Sequence, residues 1–238
     1  MNVCEWIAVP RPTGHMDLFV ARPAQEARAA VVVLQEAFGV NAHIQDICAR
    51  LAAEGYLAVA PDLFHRTGPR ELRYDQRDQA MALIGALGPA EVTDDVNATL
   101  HWLQQAHGMA PCATALMGFC FGGRAAFTAA TAIPELGAAI VFYGPGIAAG
   151  PHAVLDRAAT IRAPLLLHVG AEDASIPRAQ VDAIDAALLS AGVDATQHVY
   201  PAAGHAFACD ARPAMYRAEA ATLAWQRSLA LLRQRLVA

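Results

Sequence analysis

Leu116-Met117-Gly118-Phe119-Cys120-Phe121-Gly122-Gly123-Arg124-Ala125-Ala126 is the stretch on which the reading of this chain turns. An apolar, strand-like run enters a G-x-C-x-G-G turn, and the turn opens a helix of small residues. This is the nucleophile-elbow pattern G-x-S-x-G with sulfur in place of oxygen. A sharp strand-to-helix turn forces its central residue into a strained backbone conformation, and side chains two residues to either side would collide there. The turn also sets Cys120 at a helix N-terminus, where unpaired N–H groups favour negative charge by ~0.3–1 kcal/mol. A dinucleotide fingerprint is excluded, because G-x-G-x-x-G is missing and no ribose-binding acid follows.

Outward from the elbow, strand-like and helix-like segments alternate. Strands are expected at 3–9, 16–21, 29–34, 57–60, 112–117, 138–142, 164–169 and 195–200. Helices are expected after Asn41, which can cap one, and at 70–87, 90–107, 122–132, 178–191 and 212–236. Continuous apolar strands between amphipathic helices predict a mainly parallel, twisted sheet flanked by helices on both faces. No linker or repeat divides the chain, so one domain over 1–238 is expected, with the polar, Arg-rich segment 62–90 rimming a site and not forming a lid domain.

The composition narrows the function. Of 238 residues 55% are hydrophobic and 16% charged, with a formal net charge of −5. That balance excludes disorder and shows no electrostatic footprint for nucleic acid. Arginine supplies all 17 basic residues and lysine none, which excludes a Walker A loop, a pyridoxal Schiff base and a lysine aldolase. No apolar run reaches the ~18–20 residues of a membrane span, and the N-terminus lacks a secretory pattern. The five cysteines are odd in number and widely spaced, so they read as reduced thiols of a cytoplasmic protein. Cys120 aside, the other four read as small core hydrophobes.

A thiol is only a few per cent ionised at neutral pH and needs a base. The elbow order of nucleophile, acid, histidine directs attention downstream. Gly170-Ala-Glu172-Asp173 follows a buried strand; Glu172 competes for the acid position, but Asp173 has the shorter, stiffer side chain. His205, in Gly204-His205-Ala-Phe207 after the last strand, fits the base. His168 lies inside an apolar strand and reads as a satisfied core residue. His15, His43, His65, His152 and His198 show no partner spacing, and without H-x-H, H-E-x-x-H or C-x-x-C neither a metal site nor a cofactor is expected.

These blocks, with Gln35-Glu36-Ala37-Phe38-Gly39-Val40-Asn41 and Pro61-Asp62-Leu63-Phe64, resemble the dienelactone hydrolases (carboxymethylenebutenolidases) of the α/β-hydrolase fold over about residues 15–235. The resemblance implies Cys120 as nucleophile, His205 as base, Asp173 as its orienter, and Glu36 as an acid that contacts the resting thiol and helps generate the thiolate. It implies an oxyanion hole of the Ala37 and Phe121 backbone N–H groups, which the fold also suggests. Substrate contacts fall to Arg77, Phe38, Phe207 and position 209. The family carries a second carboxylate-binding arginine four residues after the catalytic histidine, and here that residue is Cys209. A charge-assisted bond of this kind is worth roughly 1.5–3 kcal/mol; Arg212 or Arg124 are the stand-ins available. Ala206 replaces a small hydroxyl residue beside His205. The expected partner is a small ester or lactone, acted on by a monomer. The alternatives are a broader carboxylesterase, a thiol redox protein pairing Cys120 with Cys209, and a non-catalytic binder of the same fold.

Overall fold

The computed structural model describes residues 3–236. Eight strands, β1 (Val3–Pro10), β2 (His15–Arg22), β3 (Ala30–Leu34), β4 (Leu57–Pro61), β5 (Thr114–Phe119), β6 (Ala138–Phe142), β7 (Leu165–Gly170) and β8 (Ala195–Tyr200), form one sheet. Its order is β1-β2-β4-β3-β5-β6-β7-β8. The β1–β2 and β2–β4 pairings are antiparallel and every later one is parallel. Six helices complete the fold: α1 (Ala42–Ala53), α2 (Arg77–Gly85), α3 (Pro89–His107), α4 (Phe121–Ala132), α5 (Arg178–Ser190) and α6 (Ala218–Arg235). This is the α/β-hydrolase arrangement expected from the alternation of segments.

The period of two along each strand sorts side chains to opposite faces. Ala30, Val32 and Leu34 of β3 join Leu116 of β5 in a core beneath α3, α4 and α5. Val31 and Val33, with Ala115, Met117 and Phe119, join a second core that includes Ile44, Ile47, Cys48 and Leu51 of α1 and Leu229 and Leu232 of α6. Both faces are therefore dry, as a parallel sheet requires. Asn41 caps α1 as expected, its Oδ1 accepting from the Ile44 N–H at 3.2 Å.

Four expectations need correction. Residues 70–76 are not helical: Val40 N–H donates to Arg70 O, Leu72 N–H to Phe38 O, and Gly39 bridges Glu71, so the segment is pinned to the loop after β3 and α2 starts only at Arg77. Pro111–Ala113 is a 3₁₀ turn, which delays β5 to Thr114. Residues 212–217 are turns: Pro213 has no N–H to give a helix, and Arg217 N–H donates to Phe207 O. Finally, Cys4 and Cys112 are exposed, one on the edge strand β1 and one in the 3₁₀ turn, whereas Cys48 and Cys209 are buried. Among the described residues no helix is long and apolar enough to cross a membrane.

Candidate active site

Close approach of backbones builds the elbow. A Cβ on Gly118 would lie 1.8 Å from Gly122 O, and one on Gly123 would lie 2.7 Å from Phe142 O. One on Gly122 would lie 2.1 Å from Leu34 O and 2.6 Å from Gln35 O. The missing side chain at 122 thus lets the start of α4 settle against the end of β3. Cys120 adopts φ 55°, ψ −117°, a region that costs a non-glycine residue about 1–3 kcal/mol. The Cys120 N–H is held by Phe142 O at 3.0 Å.

Cys120, Glu36, Asp173 and His205 all stand just beyond the C-terminal ends of parallel strands (β5, β3, β7 and β8), where open α/β sheets bind ligands. Cys120 Sγ lies 3.1 Å from His205 Nε2, and His205 Nδ1 lies 2.8 Å from Asp173 Oδ2. The order of contacts is thiol, imidazole, carboxylate. Asp173 is buried; Glu172 is exposed and stays outside. The Tyr143 ring packs edge-on against the imidazole at 5.3 Å.

Electrostatics follow from this geometry. Burial alone would push His205 down, but the Asp173 hydrogen bond and the Cys120 sulfur outweigh it and carry the imidazole up to about 10. Burial likewise raises Asp173, yet hydrogen bonds from His205 and Ser175 leave it below the usual carboxylate range. The Asp173 carboxylate and the Cys120 sulfur therefore favour the protonated form of the His205 imidazole.

Glu36 is placed differently from what the resemblance implies. It is 2% exposed, and burial raises its carboxyl above the usual value. Its Oε2 accepts from Tyr74 Oη at 3.5 Å, while its Oε1 has no hydrogen-bond partner among the described residues. The Cys120 thiol bonds His205, and among the described residues no hydrogen bond joins it to Glu36. The Ala37 and Phe121 N–H groups, both on buried residues, donate to no protein acceptor among the described residues. They flank the contact that Gly122 permits.

The expected substrate residues separate. Phe38 packs edge-on against Tyr74 at 4.8 Å. Phe207 is wholly buried between Tyr143 and Tyr200 and belongs to the core. Cys209 is also wholly buried, its Sγ 3.4 Å from Tyr74 Oη, and burial pushes the thiol up to about 12. Arg77 is exposed at the first residue of α2 and joins none of these side chains in a hydrogen bond or ion pair. The guanidinium at the site is that of Arg212, 5.0 Å from the Tyr74 ring centre and 5.7 Å from that of Phe38. Arg124 stacks over Phe121 at 5.3 Å.

Sequence reasoning missed several neighbours. Ser175 Oγ donates to Asp173 Oδ1 at 2.5 Å and meets His205 Nδ1 at 3.0 Å; its position two residues past an Asp was the signal, since such hydroxyls and Asx side chains close local turns. Tyr74 and Tyr143 carried no signal, because the segments that present them have no periodicity. His43, set aside for lack of partner spacing, lies beside Glu36 and Cys209.

Comparison with known proteins places the chain in a family. The sequence profile of the dienelactone hydrolase family matches residues 16–236. A Yersinia pestis protein named "Putative carboxymethylenebutenolidase" is 38% identical over 232 residues, covering 95% of this chain and 86% of its own. A protein of the same name from Escherichia coli K12 is 36% identical over 238 residues, covering 98% and 87%. The crystal structure titled as that of a "Putative Dienelactone Hydrolase" from Klebsiella pneumoniae superposes with a TM-score of 0.89 at 35% identity, covering 98% of this chain and 99% of that one.

Proposed function

The chain belongs to the dienelactone hydrolase family of carboxylic ester hydrolases, and from that premise we propose that it cleaves enol-lactone or related ester bonds through a thioester on Cys120. The observation that carries the reading is the line of contacts from Cys120 Sγ through His205 to Asp173, at 3.1 and 2.8 Å. The thiolate attacks the carbonyl carbon, and the oxyanion takes hydrogen bonds from Ala37 and Phe121 N–H. As the C–O bond breaks, the leaving enolate oxygen takes the imidazolium proton from His205. His205, then neutral, draws a proton from water, and the resulting hydroxide attacks the thioester and regenerates the thiol. Asp173 holds the imidazole in the tautomer and orientation this needs. A stabilised enolate leaving group suits sulfur better than an alkoxide or amide does.

A broader ester specificity is the second reading, and the burial of Cys209 where a carboxylate-binding arginine would stand is what favours it. Arg212 is the cation at hand for an anionic substrate, held over Phe38 and Tyr74. The test is steady-state hydrolysis of a dienelactone, followed by loss of its conjugated absorbance, beside an uncharged aryl ester of similar size. Wild type and Cys120→Ala are compared on each. Cysteine-dependent preference for the dienelactone is expected; preference for the neutral ester supports the broader reading. Full activity in Cys120→Ala overturns the thioester.

A further inference from the structure

Next to the thiol–imidazole pair lies a second group of donors that the hydrolytic reading leaves largely unused. Glu36 from the turn after β3, His43 from the first turn of α1 and Cys209 from the loop after β8 each offer a ligand atom, and these lie within 4.8 Å of one another. Their residues are 2%, 3% and 0% exposed. Buried polar groups are normally hydrogen-bonded, and an unpaired one costs about 1–3 kcal/mol. Here Glu36 Oε1 and both ring nitrogens of His43 have no hydrogen-bond partner among the described residues. Outside the trio, the Asp210 carboxylate lies 3.5 Å from His43 Nδ1. Cys209 Sγ has only the 3.4 Å contact with Tyr74 Oη. One carboxylate oxygen of Glu36, one ring nitrogen of His43 and a weakly engaged sulfur thus lie together in one dry place.

We propose that Glu36, His43 and Cys209 together bind a single divalent cation of the zinc class. An oxygen, a nitrogen and a sulfur form a borderline-soft set, which suits Zn²⁺ and Co²⁺; Mg²⁺ and Ca²⁺ take all-oxygen cages. Three protein ligands leave the fourth tetrahedral position open. Around such an ion the donors sit roughly 3.3–3.8 Å apart, so side-chain rotations of about an ångström close the site. As the metal–sulfur bond forms, the Cys209 proton passes to solvent. Carboxylate, thiolate and dication then sum to zero charge, which suits burial better than either anion alone. Coordination pulls on Glu36, the residue before the Ala37 N–H that serves the oxyanion in the proposed reaction, so the ion acts as an inhibitor; that consequence rests on the hydrolase reading, whereas binding does not.

Cobalt(II) titrated into the full-length Cys120→Ala protein tests binding, because that background removes the thiol beside His205. One equivalent bound, with a sulfur-to-cobalt charge-transfer band, is expected. Cys209→Ser in the same background abolishes the band, His43→Gln weakens affinity more than tenfold, and excess Zn²⁺ bleaches it. Glu36→Gln provides a second, near-isosteric loss of a ligand should either variant misfold, as judged by circular dichroism. No charge-transfer band in Cys120→Ala, or a band that survives Cys209→Ser, overturns the site; the latter would assign it to exposed Cys4 or Cys112. In wild type, Zn²⁺ should suppress ester hydrolysis, a chelator should restore it, and His43→Gln should blunt the effect. A cobalt band with no hydrolysis by metal-free wild type would defeat the hydrolase reading and leave the site standing; hydrolysis without a band would do the reverse.

Discussion

At the scale of single residues, the strongest commitments concern the contacts of His205. Cys120→Ala should lower ester turnover by about 10³-fold or more with its unfolding midpoint little changed, because a nucleophile cannot be replaced by its neighbours. Ser175→Ala removes one hydroxyl that bonds both Asp173 and His205; a loss of about 1–1.5 kcal/mol, or roughly tenfold in kcat, is expected. The pH dependence of stability has a definite sign. His205 is raised on folding, to about 10, so the folded state binds the imidazole proton more tightly than the unfolded chain, where histidine titrates near ~6.5. Its contribution is full below that value and is lost as pH rises toward about 10. Thermal melts should therefore show the advantage of wild type over His205→Gln shrinking across that interval, and an advantage that grows with pH would contradict the assignment.

At the scale of elements, the elbow is a steric device before it is a chemical one. Gly122 sits where a methyl group would strike the backbone oxygens of Leu34 and Gln35, at the end of β3, at 2.1 and 2.6 Å, and a backbone cannot yield as a flexible side chain can. Gly122→Ala should destabilise the fold by about 3 kcal/mol or more, through overpacking that separates α4 from β3. Gly14, in the β1–β2 turn, also lacks a side chain, but a Cβ there meets nothing within 4 Å and only its φ of +86° resists. Gly14→Ala should cost about 1–2 kcal/mol. Urea titrations of the two variants make the comparison. The element whose reading failed, residues 70–76, shows the limit of local pattern: its helix-compatible composition lost to two backbone bonds with the loop after β3, and that loss is what delivers Tyr74 to Glu36 and Cys209.

Across the whole molecule, one buried charge joins segments far apart in the chain. Asp95 of α3 is 0% exposed and takes Arg66 at 2.6 and 2.8 Å, His65 at 3.1 Å and Arg11 at 3.3 Å. Arg11 comes from the β1–β2 turn, His65 and Arg66 from the connection after β4. Removing the shared acceptor leaves cations stranded in a mostly dry site, so Asp95→Ala should cost about 3–5 kcal/mol. Its neighbour Asp94 meets the same arginines but is 61% exposed, and Asp94→Ala should fall within about 0–1 kcal/mol by chemical denaturation. Equal costs for the two would show that burial does not control this network.

The sheet, the elbow and the positions of Cys120, Asp173 and His205 were legible because each depends on short-range rules. Alternation along β3 and β5 sorts side chains between two cores, and a G-x-C-x-G-G turn has few ways to close. Strand ends then carry the acid and the base to the same edge. Other features depend on which loops meet. Nothing local foretold that Tyr74 would reach Glu36 and Cys209, that Arg77 would stand apart while Arg212 lies over Phe38, or that Phe207 would be core. The same holds for His43, whose partners are Glu36 on the preceding loop and Cys209 at the far end of the chain. Periodicity and turn chemistry act over a few residues, so the sequence by itself determined the scaffold and the elbow that carries Cys120. Only tertiary packing decided what surrounds them, because contacts between loops are set by the shape of the assembled sheet.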